Sequence, residues 1–303
     1  MISEAVIEAL KGFVPEENIH IQEPMAGHTT FRIGGPADCF IQLESEEQLK
    51  QVQHYLSQVE EDYFILGNGS NLLVSDRGYR GIILQVGQKM SQIRVEGCTV
   101  IAQAGALLSQ VAKVAWEHGL TGLEFASGIP GTIGGGVVMN AGAYDGEMSR
   151  VVTQVRVVSR EGETLTLDNE TMEFGYRYST IKEHPFTVTE VVLQLAPGDR
   201  EQIRAKMEEL SAKRRQKQPL EFPSAGSTFK RPEGYYAGQL IMDAGLRGFQ
   251  IGGARVSDKH CGFVVNMGKA TEQDVRDVIA EIQARVKERF NVELEPEVVF
   301  LGE

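Results

Sequence analysis

Apolar positions recur with a helical period in three stretches of the chain, and β-branched or alternating runs mark three others. In the first helical stretch Leu49, Val52, Leu56 and Val59 share one face. Ser45-Glu46-Glu47-Gln48 precedes it as a capping box, in which Ser45 accepts from a first-turn N–H and Gln48 reaches back. In the second, Asp199 stands ahead of Ile203, Met207 and Leu210, and Pro219 sets the end. In the third, Thr271 precedes Val275, Val278, Ile279, Ile282, Val286 and Phe290, an apolar stripe wide enough to face a core. Strands are expected over 81–86, 151–158 and 187–193, where Val, Ile and Thr dominate.

Helices and strands are mixed without the regular alternation of a doubly wound sheet, so the pattern predicts an α+β architecture. Ala196-Pro197-Gly198-Asp199 and the charged run from Lys213 to Pro219 are candidate boundaries, and 303 residues suffice for two domains. The hydrophobic share of 42% and charged share of 24% are those of an ordinary globular chain. A net charge of -12 argues against a nucleic-acid partner, while a local basic cluster still suits a small anion. Cys39, Cys98 and Cys261 are far apart and form no Cys-x-x-Cys pair, so no metal site is expected and a reducing compartment is. The start, Met1-Ile2-Ser3-Glu4, is acidic and unlike a secretory signal, and no apolar run is long enough for a membrane span. A cytoplasmic protein with no membrane partner is expected.

Two glycine-dense segments carry the first chemistry. In Gly67-Asn68-Gly69-Ser70-Asn71-Leu72 the glycines permit positive φ, consecutive N–H groups can form an anion-binding concavity, and Ser70 and Asn71 add donors. By itself such a loop is equally a tight turn between strands. Neither a Walker A loop nor the Rossmann Gly-x-Gly-x-x-Gly spacing is present. The second segment, Ser127-Gly128-Ile129-Pro130-Gly131-Thr132-Ile133-Gly134-Gly135-Gly136 with Asn140-Ala141-Gly142-Ala143, has little side-chain volume. It is therefore read as backbone lying on a flat cofactor or a pyrophosphate, and not as a packing element.

Taken in order with His28-Thr29-Thr30-Phe31-Arg32-Ile33-Gly34-Gly35, Phe174-Gly175-Tyr176-Arg177-Tyr178-Ser179, Ala225-Gly226-Ser227-Thr228-Phe229-Lys230 and Leu294-Glu295-Pro296-Glu297-Val298, these loops resemble one family. It is the UDP-N-acetylenolpyruvoylglucosamine reductase (MurB) family of peptidoglycan synthesis, and the resemblance runs from about His28 to Gly302. It implies a vanillyl-alcohol-oxidase/PCMH-type FAD-binding domain of two subdomains and a C-terminal α+β substrate domain. The corresponding division is an N-terminal helical segment over 1–26, the FAD domain over 27–197 and the substrate domain over 198–303, whose last residues can return to the FAD domain. FAD contacts are expected at Gly67, Asn68, Gly69, Ser70, Asn71 and Leu72, and at Ser127, Gly128, Ile129, Gly131, Gly134, Gly135 and Ala141.

The implied reaction is reduction of the enolpyruvyl ether of a UDP-sugar, with NADPH as hydride donor and the flavin N5 as relay. Both substrates must reach the same atom, which predicts ping-pong kinetics. Ser227 matches the family's proton donor; a serine hydroxyl suffices for a carbanion held in place, although Ala-Gly-Ser alone reads as a turn. Arg177 matches the catalytic arginine, whose permanent charge can hold the substrate carboxylate as it gains enolate character. By residue type alone it is a surface arginine on a strand. Glu297 matches the catalytic glutamate, for which a raised pKa is expected. In an extended segment Glu295 points to the same side, and residue chemistry does not choose between the two.

Lys230 and Arg231 are candidate contacts for the UDP or NADPH phosphates. Lys213 to Lys217 reads as the solvated end of a helix, and His28 and His260 as structural. No insertion between Arg177 and Pro219 houses the tyrosine lid of some members, so the chain resembles the shorter subtype. A monomer is expected. The alternatives are a flavin oxidase of a hydroxylated small molecule, which would ignore NADPH, and a flavin-binding protein without turnover.

Overall fold

The computed structural model describes residues 2–302; Met1, which opens the acidic N-terminal run, and Glu303 lie outside the described residues. Two compact units divide the chain, each gathered from three stretches. The first comprises 1–21, 39–68 and 81–213, and the second 22–38, 69–80 and 214–303. Within 1–26 the chain forms a helix, Glu4–Leu10, and then enters the strand Ile19–Pro24.

The first unit is built on a five-stranded antiparallel sheet in the order Thr164–Asp168, Val152–Val158, Thr187–Gln194, Thr99–Gln103, Ile93–Glu96. Two of the runs expected as strands, 151–158 and 187–193, are thus neighbours, with two register shifts between them. The third, observed as Tyr79–Gln85, belongs to a four-stranded sheet and pairs in parallel with Tyr63–Leu66. Helix Glu46–Gln58 buries Leu49, Val52 and Leu56. Its expected fourth apolar position, Val59, is instead the C-cap and 39% exposed, because the helix ends one residue before the stripe would continue. Ser45 caps as expected, accepting from Gln48 N–H at 3.2 Å, but Gln48 reaches one residue further back, to Glu44 N–H at 2.9 Å.

One salt-linked joint ties that helix to the sheet. Arg156 holds the Glu46 carboxylate with Nε and Nη2 at 2.8 Å, and the Thr189 hydroxyl donates to it at 2.8 Å. Burial works to raise the Glu46 carboxyl, but the hydrogen bonds of Arg156 and then Thr189 outweigh it and hold the group below the ordinary glutamate value.

The second unit packs helices Ala237–Asp243 and Glu272–Phe290 with a small antiparallel sheet, Gln250–Ile251, Ala254–Val256, Val264–Asn266. The expected stripe is its core: Val275, Val278, Ile279, Ile282 and Val286 are all buried, each burial favourable by roughly 1.5–3 kcal/mol before entropy is counted. Thr271 and Asp274 form a capping box at the start, and Asn291 closes the end with φ 55°. A two-stranded parallel pair, Leu72–Val74 beside Val299–Leu301, joins the first glycine loop to the C-terminal segment. The architecture is α+β, as the mixed pattern predicts. Among the described residues no helix is long and apolar enough to cross a membrane, and no group of three or more His, Cys, Asp and Glu side chains could hold a metal ion.

Candidate active site

In the first unit the two glycine segments meet. A Cβ on Gly67 would lie 2.6 Å from Thr132 Oγ1, and Asn68 Nδ2 donates to the Pro130 carbonyl at 2.5 Å. Thr132 in turn caps the short helix Ile133–Val138 by accepting from Gly135 N–H at 3.3 Å. Neither segment contains a carboxylate, so in a chain of net charge -12 they offer backbone amides, hydroxyls and side-chain amides only. That donor set fits an anionic pyrophosphate.

The second segment is nevertheless also a packing element, contrary to the sequence reading. A Cβ on Gly134 would stand 2.8 Å from Ala104 Cβ, and one on Gly136 would stand 3.1 Å from Leu108 Cδ1. The N–H groups of Ile133 and Gly134 donate to the Ala106 and Ala104 carbonyls at 2.7 and 2.9 Å, while Ile133 and Val137 are fully buried. Small residues here let one backbone lie on another, a need that produces the same composition as close approach to a ligand. Gly135 differs: its added Cβ would meet only Thr132 Oγ1, at 3.4 Å. Ser127 Oγ closes the turn Glu124–Gly128 on the Glu124 carbonyl at 2.8 Å, Gly131 accepts from Leu108 N–H, and Ile129 and Ala141 pack half-buried on the core.

Arg177 also belongs to the first unit, and it is not on a strand. Gly175 and Tyr178 exchange backbone hydrogen bonds at 3.1 and 3.3 Å, which puts Tyr176 and Arg177 at the tip of a tight hairpin. Arg177 has φ 56°, unusual for a residue with a long side chain, and its guanidinium lies 5.2 Å from the centre of the Tyr176 ring. Such an outlier needs support from its surroundings. Asn140, 3% exposed and itself at φ 41°, donates to the Gly175 carbonyl at 3.0 Å, and Ser179 Oγ donates to Val138 O at 2.9 Å. The end of the glycine-rich helix therefore fixes the arginine hairpin. Asn140 was not among the expected site residues; its place beside Ala141-Gly142 was the available signal.

The second unit brings Ser227 and Glu297 together. Phe229 bridges Pro296, Glu297 N–H donates to the Thr228 carbonyl at 2.8 Å, and Lys230 N–H donates to Glu295 O at 2.9 Å. Ser227 and Glu297 are both half-buried, whereas the Glu295 side chain is 69% exposed and ion-paired with Lys230. Tertiary structure thus separates the two glutamates that the sequence left equivalent. It also engages Lys230, one of the two expected phosphate contacts; the other, Arg231, stacks 4.0 Å over the Tyr236 ring.

The remainder of the first glycine loop packs in this unit. Gly69 has φ 58°, and a Cβ there would fall 2.1 Å from the His28 carbonyl oxygen, so glycine is required for backbone contact. Asn71, expected to add a donor for an anion, gives Nδ2 to the Glu297 carbonyl at 3.0 Å, and Leu72 is buried in the strand that follows. His260, expected to be structural, is engaged within the fold: its Nδ1 accepts from Gly262 N–H at 3.1 Å, its ring packs edge-on against Phe263, and burial lowers its pKa. His28 is paired with Glu23 at 2.8 Å.

Two family models match successive parts of the chain. Residues 218–301 match the family model of the UDP-N-acetylenolpyruvoylglucosamine reductase C-terminal domain, and residues 37–168 match an FAD binding domain. The UDP-N-acetylenolpyruvoylglucosamine reductase of Caldanaerobacter subterraneus subsp. tengcongensis is 51% identical over 302 residues, covering all of both chains. That of Pediococcus pentosaceus is 47% identical over 303 residues, covering all of this chain and 99% of its own. The crystal structure of the Thermus caldophilus enzyme superposes with a TM-score of 0.80 at 34% identity, over 94% of this chain and 98% of that one. A glucose dehydrogenase, Phl p 4.0202, shares the fold alone: TM-score 0.52 and 14% identity, over 65% of this chain and 45% of that one.

Proposed function

The chain belongs to the UDP-N-acetylenolpyruvoylglucosamine reductase family, and from that premise we propose how its own residues carry the reaction. It is an FAD-containing, NADPH-dependent oxidoreductase that reduces UDP-N-acetylglucosamine enolpyruvate to UDP-N-acetylmuramate for peptidoglycan synthesis. The chemistry a bound FAD would supply is the relay of hydride from NADPH to the enolpyruvyl double bond. Gly67 to Leu72 and the segment from Ser127 to Ala141 would hold the FAD pyrophosphate, through those backbone amides that do not already donate within the fold as the Ile133 and Gly134 N–H groups do.

Addition of hydride leaves an electron pair on the substrate carbon beside the carboxylate. Ser227 gives its hydroxyl proton to that carbon. Arg177 holds the neighbouring carboxylate and the enolate charge that gathers on it, and Glu297 acts with the arginine on the same intermediate. Lys230, drawn from its pair with Glu295, and Arg231 meet the phosphates. The observation that carries this reading is the Thr228 carbonyl: it accepts from Glu297 N–H and belongs to the residue after Ser227, so the proton donor and the carboxylate share one backbone joint. A hydroxyl oxidase has no use for such a donor. We further propose a cytoplasmic monomer, with flavin held by 27–197 and substrate by 198–303.

Ser227→Ala tests the assignment under anaerobic conditions. Bleaching of the flavin band by NADPH survives, while its recovery on adding the enolpyruvyl UDP-sugar slows by about 10²–10⁴-fold, the usual worth of a positioned acid. Recovery at the wild-type rate removes Ser227 from the mechanism.

A further inference from the structure

In the second unit one chain of hydrogen bonds passes from the first glycine loop to the segments of Ser227 and Glu297, two of the three proposed catalytic residues. On one side Thr30 N–H donates to the Gly69 carbonyl at 3.2 Å, and Thr30 Oγ1 donates to the Ser224 carbonyl at 2.7 Å. Ser224 Oγ accepts from Gly226 N–H at 3.4 Å, one residue before Ser227. On the other side Asn71 Nδ2 donates to the Glu297 carbonyl at 3.0 Å, and the Asn71 carbonyl accepts from Val299 N–H at 3.0 Å. The Thr228 carbonyl, accepting from Glu297 N–H at 2.8 Å, closes the circuit.

Both backbone polar groups of Glu297 are thereby fixed, the N–H by the serine segment and the carbonyl by Asn71. Asn71 straddles Glu297 by bonding at residues 297 and 299, so it sets the backbone from which that carboxylate projects. Glu297 is 226 positions away in sequence, which leaves local turn geometry no part in the contact.

We propose that Asn71 is a positioning residue for Glu297, and that it makes the placing of that carboxylate depend on the conformation of the glycine loop. The inference rests on the assignment of Glu297 given above. A side-chain amide suits the task because it donates to one carbonyl in a fixed plane, while its backbone carbonyl accepts two residues further on. The glycine loop and the carboxylate then move as one body, and a loop seated on its cofactor presents Glu297 correctly. Misplacing a reacting group by about 1 Å costs on the order of 100-fold in rate, so a modest slackening is measurable.

The test uses FAD-loaded Asn71→Ala, Glu297→Gln and the double variant, with the two half-reactions followed separately by stopped-flow. Asn71→Ala slows flavin reoxidation by the UDP-sugar about 10- to 100-fold beyond any change in flavin reduction by NADPH. In the Glu297→Gln background the same substitution adds less than twofold to the loss, because it acts through that residue. Amide hydrogen exchange gives a readout independent of turnover: the segment 295–300 exchanges faster in Asn71→Ala with or without FAD. Asn71→Ser, short and polar, takes its place if the alanine variant loses FAD. Full additivity of the two substitutions, or unchanged exchange over 295–300, overturns the proposal. A Glu297→Gln enzyme with wild-type reoxidation instead overturns the assignment of Glu297, whatever Asn71 does.

Discussion

Replacing Thr228 by valine removes one acceptor and almost nothing else. Thr228 is 2% exposed, and its Oγ1 accepts from Val264 N–H at 2.9 Å, Val264 being 1% exposed. Its own N–H donates to Gly262 O at 2.8 Å, and its carbonyl accepts from Glu297 N–H at 2.8 Å. Valine keeps the volume and the branched Cβ, so those backbone bonds remain and no cavity opens. The Val264 N–H is left buried without its acceptor, at a cost of about 1–3 kcal/mol. Thr228→Ser keeps the acceptor and loses a single methyl, a cost of about 1 kcal/mol. Amide hydrogen exchange resolved at Val264 reads the difference. Thr228→Val accelerates its exchange by roughly 5- to 150-fold, the factor that corresponds to about 1–3 kcal/mol, while Thr228→Ser accelerates it by about fivefold at most. Because Ser227 and Glu297 both depend on this residue, the sugar half-reaction is slowed more in the valine variant than in the serine variant. Val264 protection within twofold of wild type in Thr228→Val, or equal deprotection in both variants, refutes the argument that the hydroxyl holds the two segments together.

Two further substitutions probe separate parts of the molecule. Gly69→Ala forces a left-handed alanine and puts its Cβ 2.1 Å from the His28 carbonyl oxygen, so it destabilises by more than about 3 kcal/mol, whereas Gly135→Ala, facing only Thr132 Oγ1 at 3.4 Å, is tolerated; similar melting temperatures for the two would contradict the packing assigned to Gly69. Glu46→Gln costs about 1–2 kcal/mol at neutral pH, since the amide cannot reproduce the two-point hold of Arg156 on a carboxylate. The folded-state pKa of Glu46 is lowered, so its contribution is complete above the unfolded value of about 4.3 and is lost as pH falls through the folded value. The stability gap between wild type and Glu46→Gln is therefore constant from neutral pH down to about 5 and closes as pH falls further, through the lowered folded value; denaturant midpoints that stay equally separated at low pH would exclude this carboxylate as the source.

Much of the molecule was readable along the chain. The stripe from Val275 to Val286 and its cap at Thr271 became a buried helix with its capping box in place, and Ser45 and Asp199 likewise stand at helix starts. These signals act over about four residues, the span of one helical turn, and that makes them legible. Where the sequence reading erred locally, the cause was an end effect, as at Val59, where the stripe outlasted the helix. The ordered motifs also carried the family, because a family resemblance is itself a property of the linear chain.

What the tertiary structure decided has a different range. Glu295 and Glu297 are equivalent by residue type and side; the pairing of Lys230 with Glu295 and the grip of Asn71 on the Glu297 backbone set them apart. Gly134 and Gly135 are neighbours of identical composition, yet Ala104 lies against one and not the other. Arg177 looked like a strand residue until the hairpin at Gly175 and Tyr178, held by Asn140, gave it a left-handed backbone. Each outcome depends on an atom brought into contact by a distant stretch of chain. Local periodicity encodes which residues form helices and strands, but a hydrogen bond or a steric exclusion acts only within a few ångströms in space, and folding alone determines which residues come within that distance.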